Sequence, residues 1–343
     1  MHELQRITER LLNPASPAHS LRPEVLQLSK ILTSASSNPT ALAENGSSGE
    51  TQTPNGLAIS PGFAARCADD FVRTIEFVRG THEAIGEVRK LIPNRPARIL
   101  YVGCGPLATL AVPLMTAFTP AAATFTLIDL HADSIESAKC VVTTLGLAAS
   151  VVDFVCGDAM SYCLSTAEAP DLLLLETMQA CLEREPQVAI ARHLLKQSPE
   201  AILLPQEVRI DLNFVDLSRE FDWSNQPPPA DLSRRDRLQA GAVFVLNRYT
   251  IKSWEDHRGA ELPAAVVTIP DQLETRYEPL LFTTIRVYGD HVLKDYDSGL
   301  TYPRRPTIVG TMRPGDSIQF HYELGSRPGL RGQVTVAQRV DPN

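Results

Sequence analysis

Between residues 93 and 212 short apolar runs alternate with amphipathic stretches. The runs 98–102, 124–129, 151–156, 171–175 and 201–204 predict strands, and the stretches 107–118, 133–145 and 183–196 predict helices. Strand and helix in alternation predict a parallel sheet covered by helices on both faces. Upstream, the charged amphipathic start MHELQRITERLLNP and the spacing of Phe71, Ile75, Val78 and Ile85 predict a helical region over 1–92, bent at Gly80. Downstream the period changes to two, in FTTIRVY (282–288), DSIQFHYEL (316–324) and GQVTVAQRV (332–340). Ile318, Phe320, Tyr322 and Leu324 share one face and Gln319, His321 and Glu323 the other, which predicts antiparallel strands with one buried face.

Composition refines this division. The segment 33–56 is rich in Ser, Thr, Asn, Gly and Pro, too polar to offset its ordering entropy, and predicts a mobile loop over about 33–60. The sequon at Asn45 is read as chance. NQPPPA (225–230) marks a connection. The expected organisation is a helical region 1–92, an α/β domain 93–212 and a β-rich substrate or cap region 213–343. The fold class is α/β: a doubly wound, Rossmann-like sheet with an N-terminal helical cap and a C-terminal antiparallel β region.

With 343 residues, 43% of them hydrophobic, the chain can bury a sizeable core. A formal charge of −8 argues against a nucleic-acid partner, whose phosphates favour a basic face. No apolar run reaches the roughly 18 residues of a membrane span, and the start lacks the apolar stretch of a signal peptide. The expectation is a cytoplasmic protein without a membrane partner. The cysteines at 67, 104, 140, 156, 163 and 181 form no C-x-x-C pair and have no histidine at metal-ligand spacing, so neither disulfides nor a metal is expected.

The candidate chemistry gathers at the ends of the predicted strands. ILYVGCGPLATLAVPL (99–114) reads as strand, glycine turn and helix. Gly103 and Gly105 let the chain turn tightly and a ligand approach without meeting a Cβ, although an ordinary tight turn fits equally. The next strand ends in Asp129, placed to accept both hydroxyl hydrogens of a ribose. The third ends in Gly157, Asp158 and Ala159, where a short carboxylate suits an adenine amino group and an alanine leaves room for the ring. The fourth ends in Glu176, over the sheet's carboxyl edge. A dinucleotide such as NAD and S-adenosylmethionine both use this layout, and the latter needs no phosphate site.

In that order, ILYVGCGPLATLAVPL, TLIDL, CGDAM and DLLLLET resemble the successive signatures of class I S-adenosylmethionine-dependent methyltransferases, over residues 95–210 or about a third of the chain. One departure is the usual third glycine of the turn, replaced by Leu107 or Ala108. The resemblance implies S-adenosylmethionine as cofactor, with Gly103, Cys104 and Gly105 behind its methionine portion, Asp129 on the ribose, and Asp158 and Ala159 at the adenine. LETMQACLEREPQVAIARHLLKQSPEAILLPQEVRI (175–210), followed by a β-rich region, is also similar to the acidic loop and barrel of protein arginine methyltransferases. There two glutamates grip a guanidinium. Glu176 matches the first, and Glu183 or Glu185 the second. The loop lacks that family's usual aromatic, so its substrate is not carried over. A looser resemblance, to nicotianamine and azetidine-2-carboxylate synthases, implies attack on the cofactor's γ-carbon and release of methylthioadenosine.

The leading expectation is a methyltransferase acting on a small molecule in secondary metabolism, with a homodimer as its assembly. The alternatives are cyclisation or aminocarboxypropyl transfer, and a NAD-dependent oxidoreductase. Glu176 and Tyr162 are the catalytic candidates: either serves as a base, and Tyr162 also suits a cation–π contact with a sulfonium. Arg73 and Arg79 are within reach of a ligand carboxylate, but pairing of Arg73 with Asp69 or Glu76 along its helix is the simpler expectation. His131, His193 and His321 read as surface or strand-face residues. YDSGLTYPRRP (296–306) reads as a lid or a plain connection.

Overall fold

Leu4, Ile7 and Leu11 form the buried face of the first helix, His2–Leu12, and Val25, Leu28 and Leu32 that of the second, Arg22–Ala35. The computed structural model describes residues 2–38, 49–165, 168–221 and 235–336. The Arg79 guanidinium closes the first helix by donating to the carbonyls of Leu11, Asn13 and Ser16, at 2.6, 2.9 and 2.8 Å. It satisfies the acceptors a helix end leaves open, which puts Arg79 in a structural role. Its helix, Phe71–Leu91, is capped by the Asp70 side chain and runs unbroken through Gly80. A Cβ there would lie 2.8 Å from Val287 Cγ1, so Gly80 serves close packing against the β-rich region and does not bend the helix.

Strands β1 (Thr51–Thr53) and β2 (Gly56–Ala58) form a hairpin inside the span expected to be a loop. Its Pro54-Asn55-Gly56 turn explains why. The Thr53 hydroxyl accepts from the Asn55 N–H and donates to the Gly56 carbonyl, and Gly56 sits at φ 147°. The rest of the expected loop, 39–48 with Asn45, lies outside the described residues.

The central sheet is β3 (Ala97–Val102), β4 (Ala123–Asp129), β5 (Val151–Cys156), β6 (Leu172–Leu175) and β7 (Ile202–Leu204). All pair in parallel, in the order β5-β4-β3-β6-β7. β6 is Leu-Leu-Leu-Leu, buried throughout, as a strand inside a parallel sheet must be. The helices are Ala111–Ala117, Ala132–Thr144 and Gln187–Gln197. The first begins later than its apolar pattern implies, because Gly105 and Ala108 take left-handed backbone conformations, at φ 62° and 45°.

The remaining strands are β8 (Glu207–Asp216), β9 (Arg237–Asn247), β10 (Glu261–Thr268), β11 (Tyr277–Tyr288), β12 (His291–Leu293), β13 (Thr307–Val309), β14 (Ser317–Glu323) and β15 (Gly329–Thr335). They make two four-stranded sheets, β12-β11-β8-β9 and β10-β14-β15-β13. Stacking of Phe244 on Tyr322, centroids 4.8 Å apart, joins them. The boundary expected at 212 falls inside β8, which is separated from β7 by only Pro205 and Gln206. The last strand starts at 329, and both 337–343 and the NQPPPA connection lie outside the described residues.

The β-rich region grips the loop that follows β6. The Thr283 hydroxyl accepts from the Cys181 N–H at 3.0 Å, the Tyr322 hydroxyl donates to the Leu182 carbonyl at 2.6 Å, and the Arg184 N–H donates to the Pro328 carbonyl at 3.1 Å. These contacts sustain left-handed conformations at Cys181, Leu182 and Arg184, three non-glycine residues in four. Strain so concentrated needs a surrounding structure that over-determines it, and it clusters where backbones serve a site.

Candidate active site

At the carboxyl ends of β3, β4, β5 and β6 lies a cavity of about 570 Å³. The strand order reverses direction at β3, and such switch points are where open α/β sheets bind ligands. The volume falls in the roughly 300–1,000 Å³ range of small-ligand pockets. The cavity's other walls come from the hairpin, the start of the helix Phe71–Leu91 and the 299–304 segment.

Six residues expected to bind a cofactor line this cavity: Gly103, Cys104, Gly105, Asp129, Asp158 and Ala159. Gly103, at φ 76°, has a reason besides ligand approach. A Cβ there would lie 2.7 Å from the Glu176 carbonyl oxygen and 2.7 Å from Thr177 Cγ2, so glycine lets the loop after β6 close over the turn. Gly105 donates its N–H to Asp129 Oδ2 at 2.9 Å, while Asp129 Oδ1 accepts the His131 N–H at 2.9 Å. Asp129 therefore ties the glycine turn to the chain beyond β4 with its carboxylate at the cavity wall. Asp158 Oδ1 accepts the Met160 N–H at 2.9 Å, capping the short 3-10 turn Ala159–Ser161. Burial, with the Asp129 charge beside it, pushes the Cys104 thiol well above its ordinary range. Cys104 is therefore an inert, protonated wall residue.

Glu176 stands at the end of β6 and forms an ion pair with Arg73, both side chains about nine-tenths buried. This corrects the expected pairing of Arg73 along its own helix. Asp69 instead accepts from the Ser29 hydroxyl at 3.1 Å, and Glu76 pairs with His291. Arg73 thus faces inward, across the cavity, onto Glu176. The loop's second carboxylate in the cavity is Glu185; Glu183 lies in a neighbouring, more polar cavity. Burial pushes the Glu185 carboxyl up to about 7, against the pull of Arg73 and Arg184.

That shift has a measurable consequence. A carboxyl raised on folding stabilises the folded state fully below its unfolded pKa, and this contribution is lost as pH rises through about 7. In urea titrations the wild-type chain should therefore lose on the order of 2–3 kcal/mol between pH 5 and 8 that Glu185→Gln retains. Parallel pH profiles for the two would mean that Glu185 ionises freely.

Tyr162 is not among the residues lining the cavity. Its carbonyl lies 2.9 Å from His193 Nε2 and accepts from Gln197 Nε2 at 3.1 Å, fastening it to the helix Gln187–Gln197. The segment 296–306 contributes Gly299, Leu300 and Arg304, so it is part of the wall. His131, expected at the surface, lines the cavity as well. Among the described residues no group of three or more His, Cys, Asp or Glu side chains is placed to hold a metal ion, and no helix is long and apolar enough to cross a membrane.

No protein-family model matches the chain, and no curated protein matches it in sequence. Solved structures do match it in shape. The Trypanosoma brucei PRMT1 enzyme–prozyme heterotetrameric complex with AdoHcy aligns at a TM-score of 0.50 and 15% identity, over 82% of this chain and 95% of that one. The fold is that of the class I methyltransferases. A second structure, Arabidopsis thaliana protein arginine methyltransferase 10 in a uniquely open conformation, aligns at a TM-score of 0.48 and 13% identity, over 75% and 86% of the two chains. In the methyltransferase fold of this chain the cavity sits where the sheet's carboxyl rim meets the β-rich region.

Proposed function

We propose that this protein transfers a methyl group from S-adenosylmethionine to a small molecule held in the cavity. The observation that carries the reading is the convergence on one cavity of Asp129 and Asp158 from adjacent strand ends with the pair Glu176 and Glu185 from the loop after β6. The Trypanosoma brucei complex of the same fold is one with AdoHcy, the demethylated form of this cofactor, and that supports the choice. The residues suit it chemically. Asp129 offers a carboxylate to sugar hydroxyls, Arg73 a buried guanidinium to an amino-acid carboxylate, and Leu110, Ile128, Leu130 and Ala159 an apolar bed for a purine. A Cβ at Gly157 would meet nothing within 4 Å, which leaves open space beside Asp158.

S-adenosylmethionine supplies an electrophilic methyl carbon on a positive sulfur. The chain's share of the work is to orient an acceptor in line with that carbon, exclude water and take up a proton. Glu185 suits the proton: a carboxyl near pKa 7 accepts it at neutral pH and is not held deprotonated by its surroundings. Glu176, neutralised by Arg73, serves as a fixed hydrogen-bond acceptor for the incoming group. The hairpin roofing the cavity favours a compact acceptor over an extended peptide. The cyclase or aminocarboxypropyl reading uses the same residues, with Glu185 deprotonating an amine, and differs only in product.

Thermal unfolding with S-adenosylmethionine, S-adenosylhomocysteine and NAD tests the cofactor. Either adenosyl ligand at a hundredfold excess over Kd should add about 2.7 kcal/mol, and NAD nothing. A shift with NAD alone overturns the reading. Incubation with S-adenosylmethionine alone tests the reaction. Methyl transfer requires the cofactor to persist until an acceptor is added, whereas methylthioadenosine formed without an acceptor transfers the assignment to the cyclase reading.

A further inference from the structure

The hairpin over the cavity is pinned at three points. The Leu57 N–H donates to the Arg184 carbonyl at 2.7 Å, Gln52 Nε2 donates to the Ser326 carbonyl at 2.7 Å, and Thr51 Oγ1 lies 3.0 Å from His131 Nε2. The backbones are in contact: a Cβ on Gly56 would lie 2.7 Å from the Arg184 oxygen. Thr53, Leu57 and Ala58 face the cavity beneath. The third pin differs from the others because His131 has a second partner. Its Nδ1 lies 3.6 Å from Asp129 Oδ1, the oxygen that also accepts the His131 backbone N–H. One imidazole ring thus spans the gap between the carboxylate at the end of β4 and the first strand of the roof.

We propose that His131 is a positioning residue that ties Asp129 to the roofing hairpin, so that seating a cofactor on Asp129 and closing the hairpin are one coupled event. This rests on the reading of Asp129 as the sugar-binding carboxylate. A neutral imidazole with its one N–H on Nδ1 faces Asp129 with that proton and accepts from the Thr51 hydroxyl at Nε2; an imidazolium turns an N–H to each and adds a positive charge beside the carboxylate. The groups facing the ring are Asp129 from β4, Asp133 from the helix Ala132–Thr144, and the Gly49 carbonyl from the chain entering the hairpin, together with the Thr51 hydroxyl. The Asp129 carboxylate raises the His131 pKa most, and partial burial opposes it. The doubly donating form therefore extends towards neutral pH. As pH rises through that raised pKa the ring keeps Thr51 by accepting from its hydroxyl but loses the positive charge that pairs it with Asp129, so the link between carboxylate and roof weakens.

Binding of S-adenosylhomocysteine to the full chain tests this, with stopped-flow dissociation between pH 5.5 and 8.5 and hydrogen exchange of the amides in 51–58. In the wild type, ligand should protect the Leu57 amide, and dissociation should quicken roughly five- to tenfold across the titration. Thr51→Val removes the hairpin's end of the link and touches neither the cavity nor the core. It should dissociate roughly tenfold faster at pH 6 and show no pH dependence. Gln52→Ala loosens the roof at a pin without a titratable group, so it should dissociate faster yet keep the wild-type pH dependence. A Thr51→Val protein with wild-type rates and pH dependence overturns the proposal, as do hairpin amides indifferent to ligand. A wild-type chain that binds no S-adenosylhomocysteine overturns the cofactor reading itself, which is a different result from binding without coupling.

Discussion

Replacing Asp129 with alanine is expected to weaken S-adenosylhomocysteine binding by about a hundredfold or more while the chain stays folded. The carboxylate is engaged at the site, with one oxygen on the Gly105 N–H and the other on the His131 N–H. Hydrogen bonds to a charged group contribute about 1.5–3 kcal/mol each, and about 2.7 kcal/mol is a factor of a hundred in Kd. On the reading proposed above, alanine removes the acceptor for the sugar, and it also frees the Gly105 N–H, so the glycine turn loses its fixed geometry too. Asp129→Asn keeps one oxygen and should fall between wild type and alanine. Calorimetric titration decides it. An alanine variant that binds within threefold of wild type would place the ligand elsewhere.

The α/β core could be read from the sequence because its signals are local and redundant. Leu172–Leu175 permits little besides a buried strand, and the carboxyl ends of successive strands fixed where Asp129, Asp158 and Glu176 would stand. The features that escaped depend on distant partners. Arg73 has acidic neighbours on its own helix, and only the packing of that helix against the end of β6 gives it Glu176. Glu183 and Glu185 are two residues apart and equivalent as sequence. The left-handed kink at Arg184 puts one in the central cavity and the other in its neighbour. Composition concealed the hairpin Thr51–Ala58: the Asn55-Gly56 turn signal was present but surrounded by polar, small residues. His131 gained its place only because that hairpin folds back onto it.

The second large effect lies away from the cavity. Glu220 has no side-chain exposure and accepts from Arg235 at 3.1 Å, from Arg237 at 2.8 and 2.7 Å, and from the Tyr296 hydroxyl. Arg237 also pairs with Asp295 at 2.5 Å, its guanidinium 4.1 Å from the Phe282 ring centroid. Removing one member of such a group leaves buried charge uncompensated, which costs about 3–5 kcal/mol. Glu220→Ala should lower stability at pH 7 by that amount in urea titrations. Burial works to raise the Glu220 carboxyl, but the hydrogen bonds from Arg237 and Tyr296 and the two arginine charges outweigh it, and the net shift is downward. A carboxyl lowered on folding stabilises above its unfolded pKa, and that contribution is lost as pH falls through the folded value. The gap between wild type and variant should therefore narrow below about pH 4. The consequence reaches the cavity, because the chain runs from Tyr296 directly into Ser298, Gly299 and Leu300, where Asp70 holds it against the helix that carries Arg73. In a variant that remains folded, S-adenosylhomocysteine affinity should fall along with stability. Unchanged stability would show that the cluster breaks even against the cost of dehydrating its own charges.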